Sequence, residues 1–297
     1  METNTNILRR RKAQRQALEF IEQGAPQPGQ IVGNYEILRR IERGGTNLVF
    51  HALDLRHEID IALKVMRPDA PERSQGSLEY EAELLRKLQH KHIVKLHVEE
   101  YDPDVGLALE YLPITHKEFV GKDAPYIHTA FYIQDIAAGL AYLHDQGFVH
   151  RDIKPGNTLG QEEDGVIVFK LVDFNMTIPA SSRCSSLDEV VDGTPAYRPP
   201  TDEIITQGIT PSYDIYSLGR TIAKVVFDAS YKGDTRKLIM QSNDKILFLL
   251  WRCQPPKELY DLVRGCLDDD PQKRPTAREV MERSSALLYQ LIQNGTK

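Results

Sequence analysis

Residues 150–157 read HRDIKPGN, and this stretch is the key to the rest of the chain. It follows a segment of helical periodicity and is predicted to be a loop. The carboxylate of Asp152, the ammonium of Lys154 and the amide of Asn157 are close enough in sequence to meet near one point. Asp152 can accept or orient a hydroxyl proton, Lys154 can neutralise a phosphoryl group, and Asn157 can offer an oxygen ligand to a hard cation such as Mg²⁺.

Two further motifs extend this polar set along the chain. Asp173-Phe174-Asn175 follows Asn157 by sixteen residues and comes after an apolar, strand-like run. Upstream, Lys64 belongs to the apolar run Ile61–Met66, and a helical segment with Glu81 follows.

These motifs resemble those of eukaryotic-type (Hanks-type) serine/threonine protein kinases. Residues 150–157 match the family's HRD-x-x-x-x-N loop at every fixed position, residues 173–175 are similar to its DFG motif, and residues 61–64 look like its V-A-I-K strand. Gly193-Thr194-Pro195 resembles the end of a kinase activation segment, and together with Lys154 it favours serine/threonine over tyrosine specificity. The likeness extends from about Tyr35 to Met281 in the family's order.

The resemblance implies an α+β, bilobal protein kinase fold, with a small β-rich N-lobe and a larger, mainly α-helical C-lobe. The expected boundaries are 1–30 for a basic helix and a Gly/Pro linker, 31–110 for the N-lobe and 111–297 for the C-lobe. Periodicity predicts strands at 35–38, 48–53, 61–66, 93–98 and 105–111. It predicts helices at 1–23, 77–88, 131–144, 215–227, 258–266 and 277–292.

The resemblance also implies ATP and Mg²⁺ as cofactors and protein Ser/Thr hydroxyls as acceptors. The implied catalytic residues are Asp152, Lys154, Asn157, Lys64 and Glu81, and the implied metal ligands are Asn157 and Asp173. Lys64 and Glu81 are implied to form an ion pair, with Glu79 and Glu83 as alternatives if the helix register differs. The implied nucleotide-binding residues are Gly44, Gly45, Val49, Ala62, Lys64, Leu109, Glu110, Leu112 and Leu159. An apolar spine is implied for Leu85, Leu96, His150 and Phe174, and Asp214 is expected to brace the catalytic loop.

Three departures from the family pattern support an alternative, a pseudokinase that acts as a nucleotide-binding scaffold or allosteric partner. In the glycine-rich loop only Gly44 falls on a family glycine position, with Glu42 and Asn47 at the others. Asn175 replaces a glycine, and we expect it to tolerate a positive φ there. Thr201 replaces the glutamate that normally pairs with Arg274, so either Asp202 or Glu203 is predicted to take that role.

Composition limits the remaining classes of function. The chain has 297 residues and a formal charge of −6, which argues against a dedicated nucleic-acid binder. Three cysteines without a CxxC pair favour a reducing compartment. No apolar run approaches the ~20 residues of a transmembrane helix, and no N-terminal secretory signal is visible, so a cytoplasmic location is expected. The oligomeric state is left open.

Two segments carry open alternatives. The basic helix predicted for residues 1–23 is interpreted as a solvated helix packed on the domain, or as a docking helix for an anionic surface. The segment between Asn175 and Gly193 is either a flexible serine-rich loop or a phosphorylation switch paired with Arg151, and its candidate acceptors are Ser181, Ser182, Ser185 and Ser186.

Overall fold

The computed structural model describes residues 25–43, 46–71, 74, 76–97, 101–120, 125–180, 182, 193–232 and 234–295. The helix predicted for 1–23, Gly44 and Gly45 lie outside them, as do Ser181, Ser185 and Ser186. The chain divides into two units, one of Met1–Arg86 with Lys95–Tyr111 and one of Lys87–Val94 with Leu112–Lys297.

The first unit is built on a five-stranded antiparallel sheet whose spatial order follows the chain. Its strands are β1 (Ile31–Val32), β2 (Tyr35–Arg43), β3 (Asn47–Asp54), β4 (Ile59–Met66) and β5 (Leu107–Glu110). Alternating apolar side chains place one set in a buried core that includes Ile37, Phe50, Ala52, Ile61 and Leu63. Helix α1 (Ser77–Lys87) begins after the sheet's fourth strand and buries Leu78, Glu81, Ala82, Leu84 and Leu85.

The second unit is mainly helical. Its helices are α2 (His116–Phe119), α3 (Pro125–Asp145), α4 (Thr201–Gln207), α5 (Pro211–Ser230), α6 (Arg236–Ile239), α7 (Asn243–Arg252), α8 (Lys257–Cys266) and α9 (Ala277–Gly295). Helix α5 is buried over most of its length, and α3 packs against α9. At Gly219 an added Cβ would lie 2.7 Å from the Cβ of Cys266, so the close contact of α5 and α8 requires a residue without a side chain.

Short strands frame the polar loop of the second unit. β6 (Phe148–Val149) pairs with β9 (Ile178–Pro179), and β7 (Thr158–Glu163) pairs with β8 (Val166–Leu171). Residues 150–157 therefore run from the end of β6 to the start of β7, and residues 173–175 follow β8 after one intervening residue, Val172. The α+β fold class expected from the sequence is confirmed, with a small β-rich unit and a larger, mainly helical one.

The strand predicted for residues 93–98 is wrong for the part that the structure describes. Ile93 and Leu96 form only isolated bridges, to Leu171 and Leu109. The reason is that Lys87–Val94 belongs to the second unit, where its backbone is already paired: Val94 N donates to Leu171 O, and Leu171 N donates to His92 O, both at 3.0 Å. Beyond Val94, Glu110 N donates to Lys95 O and His97 N donates to Ala108 O, both at 3.0 Å, so these residues contact β5 without forming a regular strand.

The apolar run at 246–251 lies within α7, a surface helix of ten residues that buries Ile246 and Leu250. None of the helices in the described part of the chain combines the length and the apolar character that a membrane-spanning helix needs.

Candidate active site

Asp152 is the centre of a hydrogen-bond network on the loop between β6 and β7. Its Oδ2 accepts from Lys154 Nζ at 2.6 Å and from Asn157 Nδ2 at 2.8 Å. Its Oδ1 accepts from the hydroxyl of Thr194 at 2.8 Å and from the Thr194 backbone N–H at 3.2 Å. Four donors thus fix the rotamer of one carboxylate, which is 7% exposed. The three side chains that the sequence placed near one point do meet there.

Lys154 and Asn157 each donate a further hydrogen bond besides the one to the Asp152 carboxylate. Lys154 Nζ also donates to Thr194 Oγ1 at 3.0 Å, so its ammonium contacts both a carboxylate and a hydroxyl. Asn157 Nδ2 donates a second hydrogen bond to the backbone oxygen of Asp152 at 2.9 Å. Because both bonds use the amide nitrogen, the orientation of the amide is fixed and Oδ1 is the atom that can face a cation.

Asp214 on α5 holds the backbone of the loop, as expected. It is fully buried and accepts from His150 N on Oδ2 and from Arg151 N on Oδ1, both at 2.8 Å. His144 Nε2 contacts the same Oδ2 at 2.9 Å. Arg151 has a φ of 70°, in the left-handed region that is unfavourable for a residue with a Cβ. The paired N–H contacts to a buried carboxylate stabilise this strained turn.

His150 is a neutral histidine in the interior of the second unit. The N–H of Asp152 donates to its Nδ1 at 3.3 Å, and its Nε2 faces the carbonyl oxygen of Val172 at 3.1 Å. One ring nitrogen therefore accepts while the other donates, which requires the uncharged imidazole. Burial lowers the pKa of His150, against the opposing effect of neighbouring carboxylates. Its ring lies 4.9 Å from the ring of Phe174, so these two members of the predicted spine are in contact.

The turn after β8 differs from the expectation for Asn175. The positive φ of this turn, 65°, belongs to Asp173, whereas Asn175 lies in a 3₁₀ turn over Phe174–Met176. Asn175 therefore does not need the left-handed tolerance that its sequence position suggested. Val172 N donates to Asn157 O at 3.0 Å, which ties the residue before Asp173 to the catalytic loop. A carboxylate and an amide oxygen are ligand types that Mg²⁺ takes, so the donor set fits such an ion.

Within α4, Glu203 supplies the carboxylate partner for Arg274 that Thr201 lacks. Glu203 accepts from both terminal nitrogens of Arg274, at 2.7 and 2.6 Å, and the two side chains are 12% and 1% exposed. Asp202 is exposed. Glu203 is therefore the partner, in a bidentate geometry that suits a buried guanidinium. Arg274 also donates to Asp268 O and lies 4.9 Å over the ring of Tyr216.

In the first unit, Lys64 and Glu81 form a buried ion pair. Lys64 Nζ lies 2.6 Å from Glu81 Oε2, and the side chains are 6% and 0% exposed. Helix α1 starts at Ser77, and this register turns Glu81 inward together with Leu78 and Leu85. Glu79 and Glu83 are exposed, so neither alternative applies.

The predicted nucleotide-binding residues of the first unit share one face of the sheet. Val49 is paired with Lys64, and Ala62 is paired with Leu109. Directly paired residues, and residues two apart on a strand, project to the same side, so Val49, Ala62, Lys64 and Leu109 form a single surface. Glu110 accepts from Lys95 N at 2.7 Å through its side chain. Leu112 and Leu159 belong to the second unit.

Sequence reasoning missed two features of this network. Thr194 was assigned only to specificity, yet it bonds both Asp152 and Lys154. Buried Arg220 on α5 donates to Gln241 O at 3.1 Å and also to the carbonyl oxygens of Ala196 and Ile239, which fastens the segment after Thr194. An arginine within the apolar stretch Ile215–Ala223 of this helix was the available signal, because a buried charge must find several acceptors.

Comparison with known proteins agrees with this geometry. The family model for the protein kinase domain matches residues 35–284, and the chain therefore belongs to the protein kinase family. A probable serine/threonine-protein kinase of Dictyostelium discoideum is 31% identical over 272 residues, which is 88% of this chain. The serine/threonine-protein kinase PknG of Mycolicibacterium smegmatis is 31% identical over 274 residues, also 88% of this chain. Serine/threonine-protein kinase STK11 of Rattus norvegicus is 26% identical over 285 residues, or 90% of this chain.

These relatives are longer than the chain. The match spans 53% of the Dictyostelium protein, 33% of the mycobacterial one and 63% of the rat one. The similarity therefore concerns the kinase domain that they share.

Proposed function

We propose that the chain transfers the γ-phosphoryl group of ATP to serine or threonine hydroxyls of protein substrates. The observation that carries this proposal is the fixed position of Asp152 between Lys154, Asn157 and Thr194. Membership of the protein kinase family and the names of the relatives support it.

In this reaction Asp152 orients the acceptor hydroxyl and takes its proton. The hydroxyl oxygen forms a bond to the γ-phosphorus while the bond from that phosphorus to the bridging β,γ-oxygen breaks, and ADP leaves. Lys154 lies 2.6 Å from Asp152 and neutralises charge on the group in transfer. Since little covalent chemistry is required of the protein, most of the rate enhancement comes from this positioning and charge neutralisation.

We assign ATP to the residues that the sequence analysis named. Lys64, oriented by Glu81, would bind the α- and β-phosphates, and Val49, Ala62, Leu109, Leu112 and Leu159 would contact the adenine, with the backbone at Glu110. Gly44 and Gly45 remain predictions for the phosphate loop. Asn157 and Asp173 would hold Mg²⁺, which neutralises phosphate charge when bound.

Two observations weaken the alternative of an inactive scaffold. Glu203 takes over the partner role that Thr201 cannot fill, and Asn175 does not depend on a glycine-like φ. The contact of Lys154 with Thr194 supports serine/threonine rather than tyrosine acceptors. Cys253 and Cys266 are free thiols that form no disulfide, which fits the proposed reducing, cytoplasmic location.

The test is phosphate transfer from labelled ATP to a generic basic protein in the presence of Mg²⁺. We expect incorporation by the wild type and at least about a 100-fold loss in Asp173→Asn, because the loss removes a charged ligand of the metal. Asp164→Asn is the matched control, since Asp164 is an exposed carboxylate in the β7–β8 turn of the same unit. A wild type without transfer, but with a melting temperature raised by Mg²⁺-ATP, would instead support the scaffold.

A second expected result concerns the ion pair of the first unit. Glu81→Gln should lower kcat/KM by about 100-fold, because Lys64 loses the carboxylate that orients it toward phosphate. Glu79→Gln and Glu83→Gln change the same residue type on the exposed side of α1 and should leave the rate unchanged. Steady-state kinetics with ATP varied measure all three, and equal rates for Glu81→Gln and Glu83→Gln would contradict the assignment.

A further inference from the structure

A cluster of one carboxylate and two imidazoles lies at the end of β3 in the first unit. Asp54 Oδ2 is 2.7 Å from His57 Nδ1 and 2.6 Å from His97 Nε2. One potential ligand atom from each residue lies within 4.8 Å of those from the other two. None of the three belongs to the residues assigned to ATP, Mg²⁺ or phosphoryl transfer, so the kinase reaction does not explain the cluster.

Backbone hydrogen bonds fix the positions of the three residues in this cluster. Arg56 N donates to Asp54 Oδ1 at 2.8 Å, and Glu58 N donates to Asp54 O at 2.8 Å. The first bond leaves Oδ2 facing both histidines, and the second closes the turn that carries His57. His97 is fixed separately, because its backbone N–H donates to Ala108 O at 3.0 Å. Ligands from a rigid turn and from a segment next to β5 therefore converge on one point.

We propose that Asp54, His57 and His97 bind a divalent transition-metal ion of the Zn²⁺ class. Two imidazole nitrogens and one carboxylate oxygen form a ligand set of the kind that Zn²⁺ accepts, with water in the fourth position. The side chain of His57 is 58% exposed, which provides a path for the ion and room for that water. Asp54 is fully buried and His97 is 11% exposed, so the other two ligands are preorganised.

Metal binding requires the two imidazole nitrogens to move away from Asp54 Oδ2. Tetrahedral ligands about 2.05 Å from Zn²⁺ are about 3.3 Å from one another, so each nitrogen must move about 0.7 Å away from Oδ2. The exposed ring of His57 can make this shift. His57 would present the lone pair of Nδ1, and His97 that of Nε2, in place of the hydrogen bonds to Asp54.

The charges at the cluster allow such an ion. Asp54 supplies the carboxylate, whose Oδ1 accepts from the Arg56 N–H while Oδ2 faces both imidazoles. The opposing charge is the guanidinium of Arg56, whose Nε is 3.9 Å from Asp54 Oδ1. This side chain is 52% exposed and can turn to solvent.

The same sheet offers a matched control. His51 Nε2 lies 2.7 Å from Asp60 Oδ1, a pair with the same chemistry and nearly the same length as the contacts to Asp54. It brings together one imidazole and one carboxylate, which is one ligand fewer than the proposed site. Replacing His51, whose side chain is 16% exposed, therefore removes a histidine of the same unit without touching the three-residue cluster.

The test is calorimetric titration of the full chain, stripped with a chelator, with ZnCl₂ in a buffer that contains Mg²⁺ and no nucleotide. We expect one ion per chain with a Kd of about 1 µM or lower. His57→Gln should weaken binding at least about tenfold, and His51→Gln should not change it. Absorption bands of Co²⁺ in the same site should vanish in His57→Gln and persist in His51→Gln.

Melting curves in the chelator show whether each variant is folded, and the exposure of His57 predicts that His57→Gln is. The proposal is overturned if the wild type binds no Zn²⁺, or if the wild type and His57→Gln bind Zn²⁺ with the same Kd. Because neither ATP nor phosphate transfer enters the titration, its failure leaves the proposed kinase activity untouched.

Discussion

Asp152→Asn is expected to lower kcat for phosphate transfer by about three orders of magnitude, with little change in ATP affinity. The amide cannot accept the hydroxyl proton at neutral pH. It also places an N–H₂ group against donors, since Lys154 and Asn157 both donate to Oδ2 at 2.6 and 2.8 Å. The first effect acts on the acceptor hydroxyl and the second on Lys154 and Asn157, whereas the residues assigned to the adenine are unchanged. The measurements are initial rates at saturating ATP and the Kd for Mg²⁺-ATP from thermal shifts.

Asp164→Asn again serves as the control for Asp152→Asn, because it makes the same chemical change at an exposed turn of the same unit. The wild type and this control should be equally active. An Asp152→Asn variant that retains more than about a tenth of the wild-type kcat would remove Asp152 from the role of base, because the positioned base is expected to contribute at least about 100-fold.

The loop around Asp152 was predictable because its geometry is local. The three side chains come from six consecutive residues, and the backbone between β6 and β7 leaves them little freedom. The sequence did not reveal how that backbone is held. Arg151 adopts its φ of 70° because a carboxylate on α5, Asp214, accepts two neighbouring N–H groups, a contact 63 residues away in sequence. Only the resemblance to a family suggested it.

The structure decides two of the choices that the sequence left open, the carboxylate partner of Lys64 and that of Arg274. Periodicity could not separate Glu81 from Glu79 and Glu83 until the start of α1 at Ser77 fixed the register. The error at residues 93–98 has a different cause. A run of apolar residues indicates burial but does not identify the segment that it packs against. Here Val94 N donates to Leu171 O of the second unit and not to a strand of the first.

The cluster of Asp54, His57 and His97 could not be predicted from the composition of the chain or from the spacing of these residues. Asp54 and His57 are three residues apart in a turn, which by itself is ordinary, and His97 lies 43 residues beyond Asp54 between two other segments. No motif joins them. They meet because the fold brings the end of β3 next to the segment that hydrogen-bonds to β5, and such a meeting follows from the fold of the whole sheet.

Glu203→Gln is expected to lower the free energy of unfolding of the second unit by about 3 kcal/mol, which is the cost of breaking a buried ion pair by removing one partner. The amide keeps the volume of Glu203 but removes the charge that faces Arg274, a side chain only 1% exposed. Asp268 O, Ser212 O and the ring of Tyr216 remain in contact with the guanidinium and limit the loss. Urea unfolding followed by circular dichroism measures the change.

The neighbouring Asp202 provides a control for Glu203→Gln, because it lies in the same first turn of α4 and is exposed. Asp202→Asn should change the unfolding free energy by less than about 0.5 kcal/mol. The double variant Glu203→Gln/Arg274→Met should be more stable than Glu203→Gln alone, since it no longer buries an unpaired charge. If Asp202→Asn and Glu203→Gln shift the urea midpoint equally, Glu203 does not replace the missing glutamate at Thr201. A double variant less stable than both single variants would mean that Arg274 stabilises the unit through its other contacts.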